Sequence, residues 1–256
     1  MKALLLDVGN TRLKWGIATD GDIARTGNIA QLNIREKGLA VLTKRLPSNV
    51  DAVMASNVAG ATFATRLAGV VHAHCNRDIR FAKVSREACG VTNSYAQPRR
   101  MGVDRWVAMI GARAEFRAAC VIVDAGTAVT IDAIDRDGQH LGGQILPGVT
   151  LMTAALHANT SDLPQVAPLN KSPHSGVAMF AGNTRHAILS GAVNAVVGAI
   201  DRAVKTLRSA GFRPKLVLTG GDAARMLDAV DGAPVHRPHL VLQGLNTMLE
   251  VDGRKR

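Results

Sequence analysis

Two short segments place an acid, and two residues later a glycine, at the end of an apolar run: Asp7-Val8-Gly9-Asn10-Thr11 and Asp124-Ala125-Gly126-Thr127. A turn explains the glycines and the small polar residues, because Gly, Asn and Thr supply the backbone freedom and the local hydrogen bonds that turns need. It does not explain the acids. A carboxylate that is desolvated without a partner is costly, so an acid in this position suits work on another charge, most simply a metal ion or a metal-bound phosphate. Two such turns facing one cleft would also direct backbone N–H groups at a bound anion.

The elements that must hold these turns are readable from period and punctuation. Leu4, Leu5 and Leu6 form an apolar run typical of a buried strand, and Leu13, Trp15 and Ile17 alternate with Lys14 and Gly16 as a second strand does. "TDGD" is a turn, "DAVMASN" a strand, and "GVDRWVAMIGARAEF" a helix with Val103, Val107, Ile110 and Ala114 on one face. Residues 121–148 then repeat the opening: strand, acid-glycine turn, strand, D-G turn, strand. "KLVLTGGDAARML" adds a strand over Lys215 to Thr219, a Gly220-Gly221 pair that lets a ligand approach the backbone, and Asp222 as a helix cap. The pattern is α/β and duplicated, with an interdomain cleft and a boundary near Arg117 that gives domains 1–117 and 118–256. The helix from Thr184 carries Ile188, Ala192, Ala195, Val196 and Ala199 on one face, for its own core or for a partner, and the stretch from Asn159 to Asn183 reads as a loop or lid.

Composition narrows the classes. The 256 residues include 47% hydrophobic residues and carry a formal charge of +11. No uncharged apolar run is long enough to span a bilayer, and Asp7 interrupts the first apolar run before a signal peptide can form, so the expected location is cytoplasmic. The charge calls for an anionic ligand or a nucleic-acid surface. Two Trp, one Tyr and five Phe are few for base stacking, and the basic residues are scattered apart from the C-terminal "RKR", so nucleic acid is not the expected partner. Cys75, Cys89 and Cys120 form no C-x-x-C pair and read as buried thiols. "HAHC", residues 72–75, puts two histidines on one face of a strand but lacks further ligands, and neither a P-loop nor G-x-G-x-x-G occurs.

"DVGNTRLKWG", "GVDR", "DAGTAVT" and "GGQILPG", followed by "TGGD", resemble in this order the motifs of type III pantothenate kinases, a family that includes the Bvg accessory factors. The resemblance implies ribonuclease H-like domains of the actin, Hsp70 and sugar-kinase type, and ATP-dependent phosphorylation of pantothenate to 4′-phosphopantothenate, the first step of coenzyme A biosynthesis. It implies an ATP-phosphate site at Asp7, Val8, Gly9, Asn10, Thr11, Arg12, Leu13, Lys14 and Thr127, with Mg²⁺ held by Asp7 through water. It implies Asp104 as the base for the pantothenate hydroxyl, Arg105 for the substrate carboxylate, and Tyr95, Gly102, Val103 and Thr184 around the substrate, Thr184 from the second subunit of a homodimer. Asp124 matches the acid that holds a monovalent cation, K⁺ or NH₄⁺. The alternatives are a sugar kinase, an acetate kinase or a polyphosphatase of the same superfamily, and a non-catalytic, transcription-associated accessory factor that uses its basic surface on nucleic acid. Three acids beside a nucleic-acid groove would repel its phosphates.

Overall fold

The computed structural model describes residues 1–166 and 178–254. Residues 167–177, the middle of the stretch read as a loop or lid, lie outside the described residues. The chain forms two compact units, Met1–Glu115 with Leu240–Arg256 and Phe116–His239.

In the first unit, β1 (Lys2–Val8), β2 (Arg12–Thr19) and β3 (Asp22–Ala30) form an antiparallel meander. Asp20 and Gly21 both have positive φ, the backbone that a tight two-residue hairpin turn requires. After α1 (Gln31–Lys37), β4 (Ala52–Asn57) pairs parallel with β1, and α2 (Ala61–Cys75) leads to β5 (Ile79–Phe81), parallel to β4. The sheet order is β3-β2-β1-β4-β5. Leu4, Leu6 and Val8 pack with Leu13, Trp15 and Ile17 and with Leu67, Val71 and Cys75 of α2. Leu5 is equally buried on the opposite face, which is why the run is continuously apolar. The small hairpin β6 (Glu87–Ala88) and β7 (Val91–Thr92) precedes α3 (Val103–Phe116).

The second unit repeats this plan. β8 (Cys120–Ala125), β9 (Ala128–Ile134) and β10 (His140–Pro147) form the meander, followed by α4 (Val149–Asn159) and the long α5 (Thr184–Ser209). β11 (Lys215–Thr219) pairs parallel with β8, α6 (Ala223–Met226) follows, and β12 (Val235–His236) pairs parallel with β11. The order β10-β9-β8-β11-β12 matches the first sheet strand for strand. Finally α7 (Leu240–Arg254) packs against β1, β2 and β4. The first unit is therefore discontinuous in sequence, a feature that a single cut near Arg117 does not express.

Several local expectations change. α3 is buried all round from Arg105 to Ala112, and Ala114 is exposed. The cause is α7: a Cβ on Gly111 would lie 2.6 Å from the Leu240 carbonyl oxygen, and one on Gly244 would lie 2.8 Å from Val107 Cγ1. "HAHC" ends helix α2 rather than forming a strand; His72 Nδ1 lies 2.9 Å from Asp78 and His74 Nε2 lies 2.9 Å from the Leu46 carbonyl oxygen. Asp222 precedes α6 but makes no side-chain cap; its carboxylate accepts from Arg225 at 3.0 Å. Cys75 and Cys120 are buried, whereas Cys89 is only half-buried, in a turn. On α5, Ala192 and Val196 belong to the core of their own unit, Ile188 is buried, Ala199 packs at the core's margin and Ala195 is exposed. This helix is long and apolar enough to cross a membrane by composition, but half of its most apolar window is buried within the fold.

Candidate active site

Asp7 is the penultimate residue of β1 and only 9% exposed, with Lys14 of β2 and Ser56 of β4 as its register neighbours. The Gly9 N–H donates to the Arg12 carbonyl at 3.0 Å and closes the turn. Gln31, which sequence reasoning missed, ties the turn down twice: its side-chain amide donates to the Gly9 carbonyl and its N–H to the Thr11 carbonyl, both at 2.8 Å. Asn10, Thr11 and Arg12 stay exposed, and Arg12 donates to Asn28 at 2.7 Å. Val8 and Leu13 are fully buried, so their contribution to a phosphate site is limited to main chain. The result is a nearly buried acid at a strand end beneath a polar turn open to solvent.

The Asp124 turn has the same skeleton. The Gly126 N–H donates to the Ala128 carbonyl at 3.1 Å, and the Thr127 carbonyl accepts from the Gly148 N–H at 2.8 Å. Asp124 lies between Thr130 and Thr219 in register. Two glycines clamp this turn. Gly220 has φ +100°, and a Cβ there would lie 2.5 Å from the Asp124 carboxylate and also collide with the Ala125 carbonyl. A Cβ on Gly148 would strike the Gly126 carbonyl and lie 2.8 Å from that of Thr127.

The third cluster lies at the start of α3. Asp104 sits in the first turn, and its carboxylate accepts from the Arg105 N–H at 2.8 Å. Gly102 has a physical reason to be glycine: a Cβ would meet the Asp104 carboxylate at 2.6 Å. Arg105, 5% exposed, donates from Nη1 to the Tyr95 hydroxyl at 3.0 Å, with its guanidinium 5.7 Å from the ring centre. Tyr95, Gly102, Val103, Asp104 and Arg105 are thus brought together in the first unit, which places a carboxylate beside a guanidinium and a phenol. Thr184 belongs to the second unit, exposed at the start of α5, where Asn183 caps the helix by accepting from the His186 N–H at 3.0 Å.

Comparison with known proteins decides the family. The family model for type III pantothenate kinase matches residues 3–206. The chain belongs to the type III pantothenate kinase family. A type III pantothenate kinase of Aromatoleum aromaticum is 38% identical over 97% of this chain and 98% of its own length. One from Halorhodospira halophila is 36% identical over 94% and 95%. Among solved structures, a conserved Campylobacter jejuni protein assigned to the Baf family of transcriptional activators aligns with TM-score 0.62 at 20% identity, over 98% of this chain and 99% of that one. A Sinorhizobium meliloti protein assigned as a 2-dehydro-3-deoxygalactonokinase also reaches TM-score 0.62, at 13% identity and the same coverages. These likenesses establish the duplicated fold shared with sugar kinases.

Proposed function

We propose that this member of the pantothenate kinase family transfers the γ-phosphoryl group of ATP to the primary hydroxyl of pantothenate, giving 4′-phosphopantothenate for coenzyme A synthesis. The observation that carries the reading is the Tyr95–Asp104–Arg105 cluster in a chain of this family. Pantothenate has a hydroxyl at one end and a carboxylate at the other, and the cluster offers an acceptor for the hydroxyl proton and donors for the carboxylate. Asp104 takes the proton as the oxygen attacks phosphorus, while Arg105 and Tyr95 orient the substrate; orientation and electrostatics do most of the work in such transfers.

The Asp7 turn takes the ATP phosphates through the main chain of Gly9 to Arg12, with Lys14 offsetting charge. Asp7 fits a water-bridged Mg²⁺, because a nearly buried acid beneath an exposed polar turn can bind water already ordered on a hard cation. When bound, that ion neutralises charge on the transferring phosphoryl group. Asp124, with the Ala125 carbonyl close by, supplies oxygen donors of the kind that K⁺ or NH₄⁺ takes, and Thr127 in the same turn serves the ATP phosphates. The expected enzyme is a cytoplasmic homodimer in which Thr184 serves the partner's substrate, and nucleic acid is not among its ligands.

The test offers pantothenate, simple sugars and acetate separately, with ATP, Mg²⁺ and K⁺. Phosphorylation of pantothenate alone is expected; turnover of a sugar or acetate without pantothenate turnover overturns the reading. Asp104→Asn should lower kcat about 10²- to 10⁴-fold at an unchanged thermal midpoint.

A further inference from the structure

We infer that Arg86 is a positioning residue for the substrate pocket: it holds the Tyr95 loop from outside so that the phenol meets Arg105. This rests on the reading of Tyr95 and Arg105 as substrate-binding groups. Cys89 and Gly90, with φ of 51° and 77°, form a two-residue hairpin turn between β6 and β7. The hairpin brings Arg86 alongside Asn93, whose N–H donates to the Arg86 carbonyl at 2.8 Å.

From there the guanidinium reaches three loop carbonyls. Nη1 donates to those of Asn93 and Tyr95, both at 2.9 Å, and Nη2 to that of Ala96 at 3.2 Å. Asn93, 1% exposed, locks the inner side: its side-chain carbonyl accepts from the Tyr95 N–H at 2.9 Å, and its amide lies 3.7 Å from the Met101 sulfur. The loop is fixed on both sides of Tyr95. The planar fork reaches the three carbonyls from two separate nitrogens, a spread that the single nitrogen of lysine does not match. Arg86 itself is exposed, and its removal opens no cavity in a core.

A misplacement of about 1 Å in a positioning contact costs on the order of a hundredfold, so Arg86→Ala should raise KM for pantothenate roughly ten- to a hundredfold while KM for ATP changes less than about twofold. Arg86→Lys should fall between, and Arg99→Ala, which removes a nearby exposed charge, should leave KM for pantothenate unchanged. Because Tyr95 is the chain's one tyrosine, ring-labelled tyrosine gives a single NMR signal set. Arg86→Ala should shift or broaden that set and leave the two tryptophan indole signals in place. An unchanged pantothenate KM with an unmoved tyrosine signal overturns the inference. So does an equal rise from Arg99→Ala, which would mark Arg86 as one contributor to a general field, and so does a parallel rise in both KM values with a lowered thermal midpoint. Wild-type protein that leaves pantothenate unphosphorylated would instead overturn the functional reading, and the tyrosine spectrum would still judge the positioning.

Discussion

The Asp7 and Asp124 turns follow one pattern and one hydrogen-bond scheme, yet they differ in what surrounds them. At Asp7 the turn is one residue longer and a Cβ on Gly9 would meet only the Arg12 carbonyl, at 3.2 Å, although the tips of both turns, Asn10 to Arg12 and Thr127 to Ala128, are exposed. At Asp124 the turn is pressed between Gly148 and Gly220, whose backbones approach where no side chain fits. Duplication reproduced the strands and the acid, while the neighbours set the character of each turn. The first turn has room around its glycine. The second has its acid and its carbonyl oxygens packed against glycine backbone.

The largest effect expected from this difference is on folding. Gly220→Ala forces a Cβ into the Ala125 carbonyl and the Asp124 carboxylate at a φ that alanine resists, and should cost about 3–5 kcal/mol in urea unfolding. Gly9→Ala should cost less than about 1 kcal/mol. Equal losses at the two glycines would dissolve the contrast. Next in size is Asp7→Asn, expected to lower kcat/KM for ATP roughly a hundredfold at an unchanged midpoint, since it removes the charge and keeps the volume. Smaller again is the cation response: exchanging K⁺ for Na⁺ should slow the wild type a few-fold, on the order of 1 kcal/mol or less, and Asp124→Asn should respond equally to the two salts. Equal wild-type rates in both salts would remove the cation from the clamped turn.

The sheets were legible because their signals are local. Leu4 to Leu6, the alternation through Ile17, and the second Asp-x-Gly each declare a strand or a turn within a few residues. What escaped depends on distant partners. The all-round burial of α3 is caused by α7, more than a hundred residues later, and its only local traces are Gly111 and Gly244. In "HAHC" the alternation of four residues hid the spacing of Leu67, Val71 and Cys75, which is helical and buried. Asp104, Arg105 and Tyr95 are marked only by their resemblance to a family's motifs, since an acid in a first helical turn has an ordinary electrostatic reason to be there. Gln31 and Arg86 gave no signal at all, because side chains that hold backbone carbonyls have no characteristic neighbours in sequence.

The return of α7 to the first sheet has a consequence for the order in which a growing chain can be completed. Everything from Phe116 to His239 is synthesised before Leu240, so the second unit holds all its strands and helices while the first still lacks one layer. Ala3, Leu5 and Met54, buried in the finished protein, wait on a sheet face whose cover has not yet been made. Synthesis and completion therefore run in opposite order: the half begun first is finished last, and a chain stalled at residue 239 presents an apolar sheet face to its surroundings, the kind of surface on which chaperones act and aggregates begin.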